Sequence, residues 1–326
     1  MNKFFSNLMT AVPTVRTHRL TKQFDNHVAV NHIDLQIDPG EVYGLIGPNG
    51  AGKTTLIRML AAAEEPTAGE IYINGARFMR GQNNPELKRQ LGYLPDDFPL
   101  YDDLTVWDYL DYFARLYFLR DPQRSQRLHE VIELVELEQK RNEAIATLSR
   151  GMKQRLSLAR SIIHNPTLLL LDEPVSGLDP LARVQVRNII KSLQKQGMTI
   201  LISSHILSDL AEICTSIGIM ELGNLVESSR LQELYDRSNQ DQQQLLISTL
   251  GNLEDLQTTL RRSNLVQEVE VLSDVHSVRV QFSGSIEDCA ALLRVLIEAG
   301  IPISNFHRSQ ETLENIFLKL GYKQTS

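Results

Sequence analysis

The chain has 326 residues, of which 33 are basic and 40 acidic, giving a net charge of −7. Apolar residues make up 42% and charged residues 22%, ordinary values for a globular protein of about two domains. No apolar run approaches the ~20 residues of a membrane-spanning helix, the acidic balance speaks against binding nucleic acid through phosphate neutralisation, and two cysteines 75 positions apart, Cys214 and Cys289, exclude a disulfide framework and fit a reducing cytoplasm.

In chain order, residues 1–13 read as an extension: Phe4, Phe5, Leu8, Met9 and Val12 follow a single Lys3 but are interrupted by Ser6, Asn7 and Thr10, so a mobile segment or short amphipathic helix is expected, not a signal peptide. Residues 14–224 alternate β-rich and helical stretches, the pattern of an α/β domain. Val42–Ile46 is a strand that enters a glycine-rich turn, and Lys53–Ala63 follows as a helix. Glu70–Ile73 is a further strand ending in Asn74-Gly75, a pair suited to a tight hairpin. From about 97 to 165 the pattern becomes helical. Thr105 caps a helix with Val106, Trp107, Leu110, Phe113 and Leu116 at helical spacing, and Leu128, Val131, Ile132 and Val135 mark a second. Four leucines in Thr167–Leu171 suit a parallel strand buried on both faces, and Met198–Ser203 is a comparable strand. The second unit is placed at 225–326, its regular elements beginning after a Ser/Asp/Gln-rich stretch around 228–243. That unit is read as strand (Gln244–Ser248), helix (Leu253–Leu260), strand (Val266–Leu272), strand (Ser277–Phe282), helix (Ile286–Ala299) and strand (Ile301–His307), the βαββαβ order of a ferredoxin-like α+β domain. A last helix is expected over Thr312–Leu320. Residues from 225 onward hold 9 basic and 14 acidic side chains, so most of the net negative charge belongs to this tail.

The residues that carry chemistry begin at the glycine-rich turn. Gly47-Pro48-Asn49-Gly50-Ala51-Gly52-Lys53-Thr54, followed by Thr55, fits G-x-x-x-x-G-K-[ST] between a strand and a helix. The glycines let amide N–H groups wrap a polyphosphate, Lys53 reaches the β- and γ-phosphates, and the Thr54 hydroxyl is a ligand for Mg²⁺. Leu168–Leu171 runs into Asp172-Glu173-Pro174, two carboxylates at the carboxyl end of a buried strand. Asp172 is suited to hold Mg²⁺ through water, and Glu173 to orient and deprotonate an attacking water. Upstream, Leu148-Ser149-Arg150-Gly151-Met152-Lys153-Gln154 opens a helix 23 positions before Asp172, with Ser149 as cap and free amides behind it.

This last segment resembles the Leu-Ser-Gly-Gly-Gln signature of ATP-binding-cassette (ABC) proteins. Ser176-Gly177-Leu178-Asp179 is similar to the family's D-loop, and His205 in Ser203-Ser204-His205, 32 positions past Glu173, to its switch histidine. Five motifs in family order cover roughly residues 14–225. The resemblance implies a P-loop NTPase fold with a helical insert, ATP and Mg²⁺ as cofactors, and head-to-tail pairing with a second cassette. Each ATP would then meet Ser149, Arg150, Gly151 and Met152 of the opposite cassette, and Asp179 would lie near the interface. Phe24 matches the aromatic that stacks on adenine, with core packing as its alternative.

Two departures are evident. Asp96 in Leu91-Gly92-Tyr93-Leu94-Pro95-Asp96 stands where the family carries its Q-loop glutamine, and Arg150 replaces the first signature glycine. The cassette-then-tail order, and Leu313-Glu314-Asn315-Ile316-Phe317-Leu318, resemble the ATPase subunits of drug- and polysaccharide-type exporters. The expectation is therefore an ATPase on the cytoplasmic face of the membrane, coupled to a separate transmembrane permease, with no nucleic-acid partner. Tyr101, Trp107, Tyr109, Tyr112 and Tyr117 in the insert are candidates for the docking surface. The tail is expected to steady the cassette pair, with regulator binding as the alternative. The rival class is an ABC ATPase of ribosome or DNA maintenance, which the single signature and the lack of a long heptad run disfavour.

Overall fold

A computed structural model describes residues 12–78, 84–97, 99–241, 243–272, 276–309, 313, 314 and 316. The expected extension falls on residues outside this set apart from Val12 and Pro13, and so does most of the expected helix Thr312–Leu320. The chain divides into two compact units, Met1–Leu231 and Gln232–Lys323.

The first unit opens with β1 (Val15–Phe24), β2 (His27–Ile33), β3 (Gln36–Ile37) and β4 (Val42–Ile46). The glycine-rich turn leads into α1 (Lys53–Leu60), then β5 (Ala68–Ile73) and β6 (Ala76–Phe78). The helix α1 stops three residues short of the expected Ala63, because Ala62 turns to φ +58 and Ala63 N–H bonds back to Arg58. Asn74 and Gly75, with φ +48 and +78, form the tight connection of the β5–β6 hairpin, the conformation that favours this residue pair. An antiparallel sheet in the order β2-β1-β5-β6, with β3 also on β1, results.

Next come α2 (Pro85–Arg89), β7 (Leu91–Leu94), α3 (Val106–Leu116), α4 (Gln123–Leu134), α5 (Arg150–Ile162), β8 (Leu168–Asp172), α6 (Pro180–Lys195), β9 (Thr199–Ser204), α7 (Leu207–Ile213), β10 (Ser216–Glu221) and β11 (Asn224–Arg230). The second sheet runs β11-β10-β4-β9-β8-β7, parallel throughout except for the β10–β11 pair. All four leucines of β8 have no exposed surface, each burial worth roughly 1.5–3 kcal/mol. At the start of α3 the Thr105 hydroxyl accepts from Asp108 N–H, and Val106, Tyr109, Leu110 and Ala114 are buried on one face. Leu116 is instead 53% exposed. Tyr109 is fully buried and Tyr117 stacks on His164 at 3.8 Å, which removes Tyr109 from the surface aromatics; Tyr101 and Tyr112 remain exposed.

The polar stretch 228–243 is not a linker. Its first residues complete β11, and α8 (Leu231–Asp241) follows, with Leu231 and Leu234 buried one helical turn apart. Two apolar anchors suffice for a helix whose other positions are polar, which is why composition alone conceals it.

The second unit comprises β12 (Gln243–Thr249), α9 (Leu253–Leu260), β13 (Val266–Val271), β14 (Ser277–Phe282), α10 (Ile286–Glu298) and β15 (Ile303–Ser309). Its antiparallel sheet runs β13-β14-β12-β15 and packs Leu245, Ile247, Val278, Val280 and Phe282 against Leu256, Leu260, Leu292 and Leu296. A reciprocal capping box of Ser285 and Asp288 starts α10. The last strand begins at Ile303 instead of Ile301, since Pro302 has no N–H to donate to the ladder. Each unit holds one cysteine: Cys214 lies with its Sγ 2.7 Å from where a Cβ on Gly44 would be, and Cys289 joins the second core. Burial pushes both thiols up from their ordinary pKa.

Candidate functional site

The parallel sheet fixes the geometry. With β4, β9 and β8 side by side, their carboxyl ends bring the glycine-rich turn, the 203–205 segment and the Asp172-Glu173 pair together. A cavity of about 480 Å³ lies there, lined by residues of the turn (Asn49, Gly50, Gly52, Lys53, Thr54, Thr55) and by Phe24, His27, Ala29, Asp96, Glu173, Ser176 and His205.

The turn is shaped to wrap a ligand with its backbone. Gly50 has φ +81 and nothing within 4 Å of where its Cβ would be. Gly47 and Gly52 sit so close to the carbonyls of Met220 and Ala29 that any Cβ would overlap them. Ala51 is buried, and Pro48 and Gly47 turn their carbonyls onto the Lys53 ammonium at 3.2 and 2.6 Å. Gly47, Pro48, Ala51 and Asp172 are therefore support for the cavity wall and are not among its lining residues. Burial lowers the pKa of Lys53, opposed by the carboxylates of Glu173 and Asp172; its Nζ stands 4.0 Å from Glu173 Oε1.

Asp172 is almost fully buried, and its Oδ1 accepts from Thr54 Oγ1 at 3.2 Å and from Ser203 Oγ at 2.7 Å. Ser203 also accepts the Glu173 N–H at 3.0 Å. That bond helps to hold Glu173 at φ +49, a left-handed conformation that a side chain other than glycine adopts only at a cost of about 1–3 kcal/mol. The Glu173 carboxylate then reaches His205, with Oε2 2.8 Å from Nδ1. Thr54 and Asp172 thus present a hydroxyl and a carboxylate oxygen side by side, a hard-donor pair suited to Mg²⁺ together with phosphate oxygens and water. Among the described residues no cluster of three or more His, Cys, Asp or Glu competes for a metal.

At the rim, Phe24 is 43% exposed, and the Lys22 ammonium sits 4.7 Å from its ring centroid. The ring is therefore not a core side chain. Asp96 emerges two residues past β7; burial raises its carboxyl pKa, with Asp172 and Asp97 adding to the rise and Arg150 and His205 opposing it.

Ser149, Arg150, Gly151, Met152 and Asp179 are not among the residues lining this cavity. Ser149 caps α5 by accepting Met152 N–H at 3.3 Å, and Asp179 caps α6 by accepting Ala182 N–H at 3.0 Å. The two helix starts abut, since a Cβ on Gly151 would stand 2.7 Å from the Ala182 Cβ.

The sequence motifs contain Ser176 and Ser203 without assigning either a role of its own, and His27 and Ala29 fall outside them all. His27 was detectable: the two turn-forming residues Asp25-Asn26 between β-rich runs make a two-residue hairpin that pairs Phe24 with His27. Ser203 carried a weaker signal, as a fully buried polar residue closing the apolar run Ile200-Leu201-Ile202.

Comparison with known proteins gives the same direction from every side. Residues 30–176 match the family described as ABC transporter. The chain is 33% identical over 314 residues to the bacitracin transport ATP-binding protein BcrA of Bacillus licheniformis, covering 94% of this chain and 96% of that one. It is 33% identical over 313 residues to the Nod factor export ATP-binding protein I of Cupriavidus metallidurans, covering 96% and 98%. Among solved structures, the ATP-binding subunit of an ABC transporter is 31% identical with a TM-score of 0.62, covering 69% of this chain and 93% of that one. A cassette solved as a dimer in a post-hydrolysis state with ADP and Pi is 25% identical with a TM-score of 0.59, covering 67% and 98%.

Proposed function

This chain belongs to the ABC transporter family, as an ATP-binding subunit with ATPase activity, and from that premise we propose that it drives a separate membrane permease, in the direction of export, by closing and opening a pair of cassettes around ATP. The observation that carries the reading is the convergence of Lys53, Thr54, Glu173 and His205 on one cavity at the ends of β4, β8 and β9, with Asp172 bonded to Thr54 behind its wall. Among the described residues no helix is long and apolar enough to cross a membrane; in this reading the permease is a separate chain and the cassette docks on its cytoplasmic face, where ATP is supplied. The name of the Nod factor export protein supports export as the direction.

In this reading the loop amides of residues 47–55 and the Lys53 ammonium bind the phosphates, while the Phe24 ring takes one face of adenine. Thr54, and Asp172 through water, would hold Mg²⁺, which would supply charge neutralisation at the phosphates. Glu173 orients the attacking water and accepts its proton, and His205, hydrogen-bonded to that carboxylate, reports the γ-phosphate. The N-terminal turn of α5, with Ser149, Gly151 and Met152, serves the nucleotide of the opposite cassette, and Asp179 faces the same junction. The tail begins at Gln232, not at 225, because β11 pairs with β10 in the cassette sheet; it is an accessory domain that steadies the pair, and the strand order β13-β14-β12-β15 supports a ferredoxin-like fold for it.

Ser203 is expected to matter beyond packing. Removing its hydroxyl leaves a buried Asp172 oxygen and the Glu173 N–H each short of a partner, a loss of about 1–3 kcal/mol per group. Ser203→Ala should lower ATP turnover about tenfold with the ATP KM changed less than about threefold. Undiminished phosphate release would remove Ser203 from the site.

Purification of the tagged full-length chain from detergent-solubilised membranes tests the function. A polytopic membrane protein that co-purifies and raises ATP hydrolysis on reconstitution supports the proposal; an association confined to ribosomes or DNA overturns it.

A further inference from the structure

Asp96 and Arg150, the two positions at which the chain departs from the family pattern, lie on either side of Ser176: Asp96 lines the cavity with it, and Arg150 packs on the loop that carries it. Arg150 is the first residue of α5 and is exposed, yet its guanidinium does not extend into solvent. It folds back over segment 174–177 of its own chain: Nη2 donates to the Ser176 carbonyl at 3.4 Å, and a Cβ on Gly177 would overlap the guanidinium. The guanidinium thus lies directly on Gly177, whose φ of +65 is itself a backbone conformation that favours glycine. One turn further along the same helix face, Gln154 Nε2 donates to the Pro174 carbonyl at 2.9 Å. The helix thereby grips the loop at two carbonyls that flank buried Val175.

The gripped segment starts at Glu173, with its left-handed backbone, and it contributes Ser176 to the cavity wall beside Asp96, Glu173 and His205. A cation at the first position of a helix opposes the helix dipole, so α5 itself gains nothing from Arg150. What the guanidinium does serve is the loop and the acidic side of the cavity, where Asp96 feels its charge.

We infer that Arg150 is a positioning residue: its flat guanidinium holds the 174–177 loop, and through it Glu173, in the arrangement needed for hydrolysis, while its charge balances Asp96. This rests on the role proposed for Glu173. Lysine is no substitute, because a point charge on a flexible stem cannot lie flat on Gly177 and donate to Ser176 at once. A glutamine at position 96 would remove the carboxylate that the cation offsets.

The test is a double-mutant cycle on the full-length chain, with Arg150→Met, Asp96→Gln and the pair together, read by steady-state ATP hydrolysis, ATP KM and thermal melting. Arg150→Met is expected to lower kcat about tenfold with KM within about threefold and melting unchanged, and Asp96→Gln alone to remain within about tenfold of the parent. The double variant is expected to be at least about fivefold more active than the product of the two single effects, and Arg150→Lys to recover only part of the loss. Parental kcat in Arg150→Met, or the same fold-loss with and without Asp96→Gln, overturns the inference. Should Arg150→Met melt early, the Arg150→Lys chain decides: full parental kcat overturns the inference and partial kcat supports it. Normal turnover in Glu173→Gln would overturn the assignment beneath it, and the inference with it.

Discussion

Glu173→Gln should lower ATP turnover by about 10²–10⁴-fold while the full-length chain still accumulates as an ATP-bound dimer. Glutamine keeps the length and shape of the side chain and tolerates the same backbone, so the bond from the residue 173 N–H to Ser203 and the contact with His205 persist in outline. What disappears is the ability to take a proton from water. With ATP uncleaved, the γ-phosphate remains between the two cassettes and the pair does not reopen. Phosphate release measured beside size-exclusion chromatography in ATP reads both halves of the expectation. Near-parental turnover would exclude Glu173 as the base, and abolished turnover without any ATP-dependent dimer would exclude the cassette pair as the place where it acts.

The other large effect belongs to Lys53. Its ammonium is held under the loop by the Gly47 and Pro48 carbonyls, with its side chain only 7% exposed and Glu173 at 4.0 Å. Desolvation disfavours the charge there, and it is offset by the neighbouring acids and, in the proposed complex, by the β- and γ-phosphates. Two charge-assisted hydrogen bonds to phosphate at about 1.5–3 kcal/mol each correspond to an affinity loss of roughly 10²-fold or more. Lys53→Ala should therefore weaken ATP binding at least about a hundredfold in a fluorescence titration, with circular dichroism unchanged because the loop keeps its glycine geometry. ATP affinity within about threefold of the parent would show that the ammonium does not reach the phosphates.

How much of this could be read from the sequence depends on the range of the interaction. The phosphate loop was legible because its determinants are contiguous: a strand, glycines at backbone positions that exclude a Cβ, and a helix all lie within Val42–Leu60. The Asp172-Glu173 pair was legible for the same reason, as the terminus of a leucine strand. Thr105 and Asn74-Gly75 declared a cap and a hairpin with local chemistry alone. The order of the parallel strands was not legible. Nothing near Leu168 in sequence announces that Thr199 and Ile200 will lie beside its strand, and that adjacency is what sets Ser203 against Asp172 and Glu173. The antiparallel sheet of β1, β2, β5 and β6 was likewise hidden in a general α/β alternation, since its pairing Thr17–Ile71 spans half a hundred residues. Arg150 shows the limit from the other side. Its replacement of glycine was visible at once, but its destination was a carbonyl 26 positions away that no spacing rule names.

One consequence of the buried cysteines concerns how the chain can be handled. Its only two thiols are held inside separate cores and are poorly ionised. The native surface thus offers almost nothing for maleimide chemistry to attack. A single cysteine introduced at a well-exposed position such as Leu181, 69% accessible in the first turn of α6, becomes the preferred attachment point for a dye or spin label without prior removal of the natural ones. The protein arrives ready for distance measurements between two copies of itself.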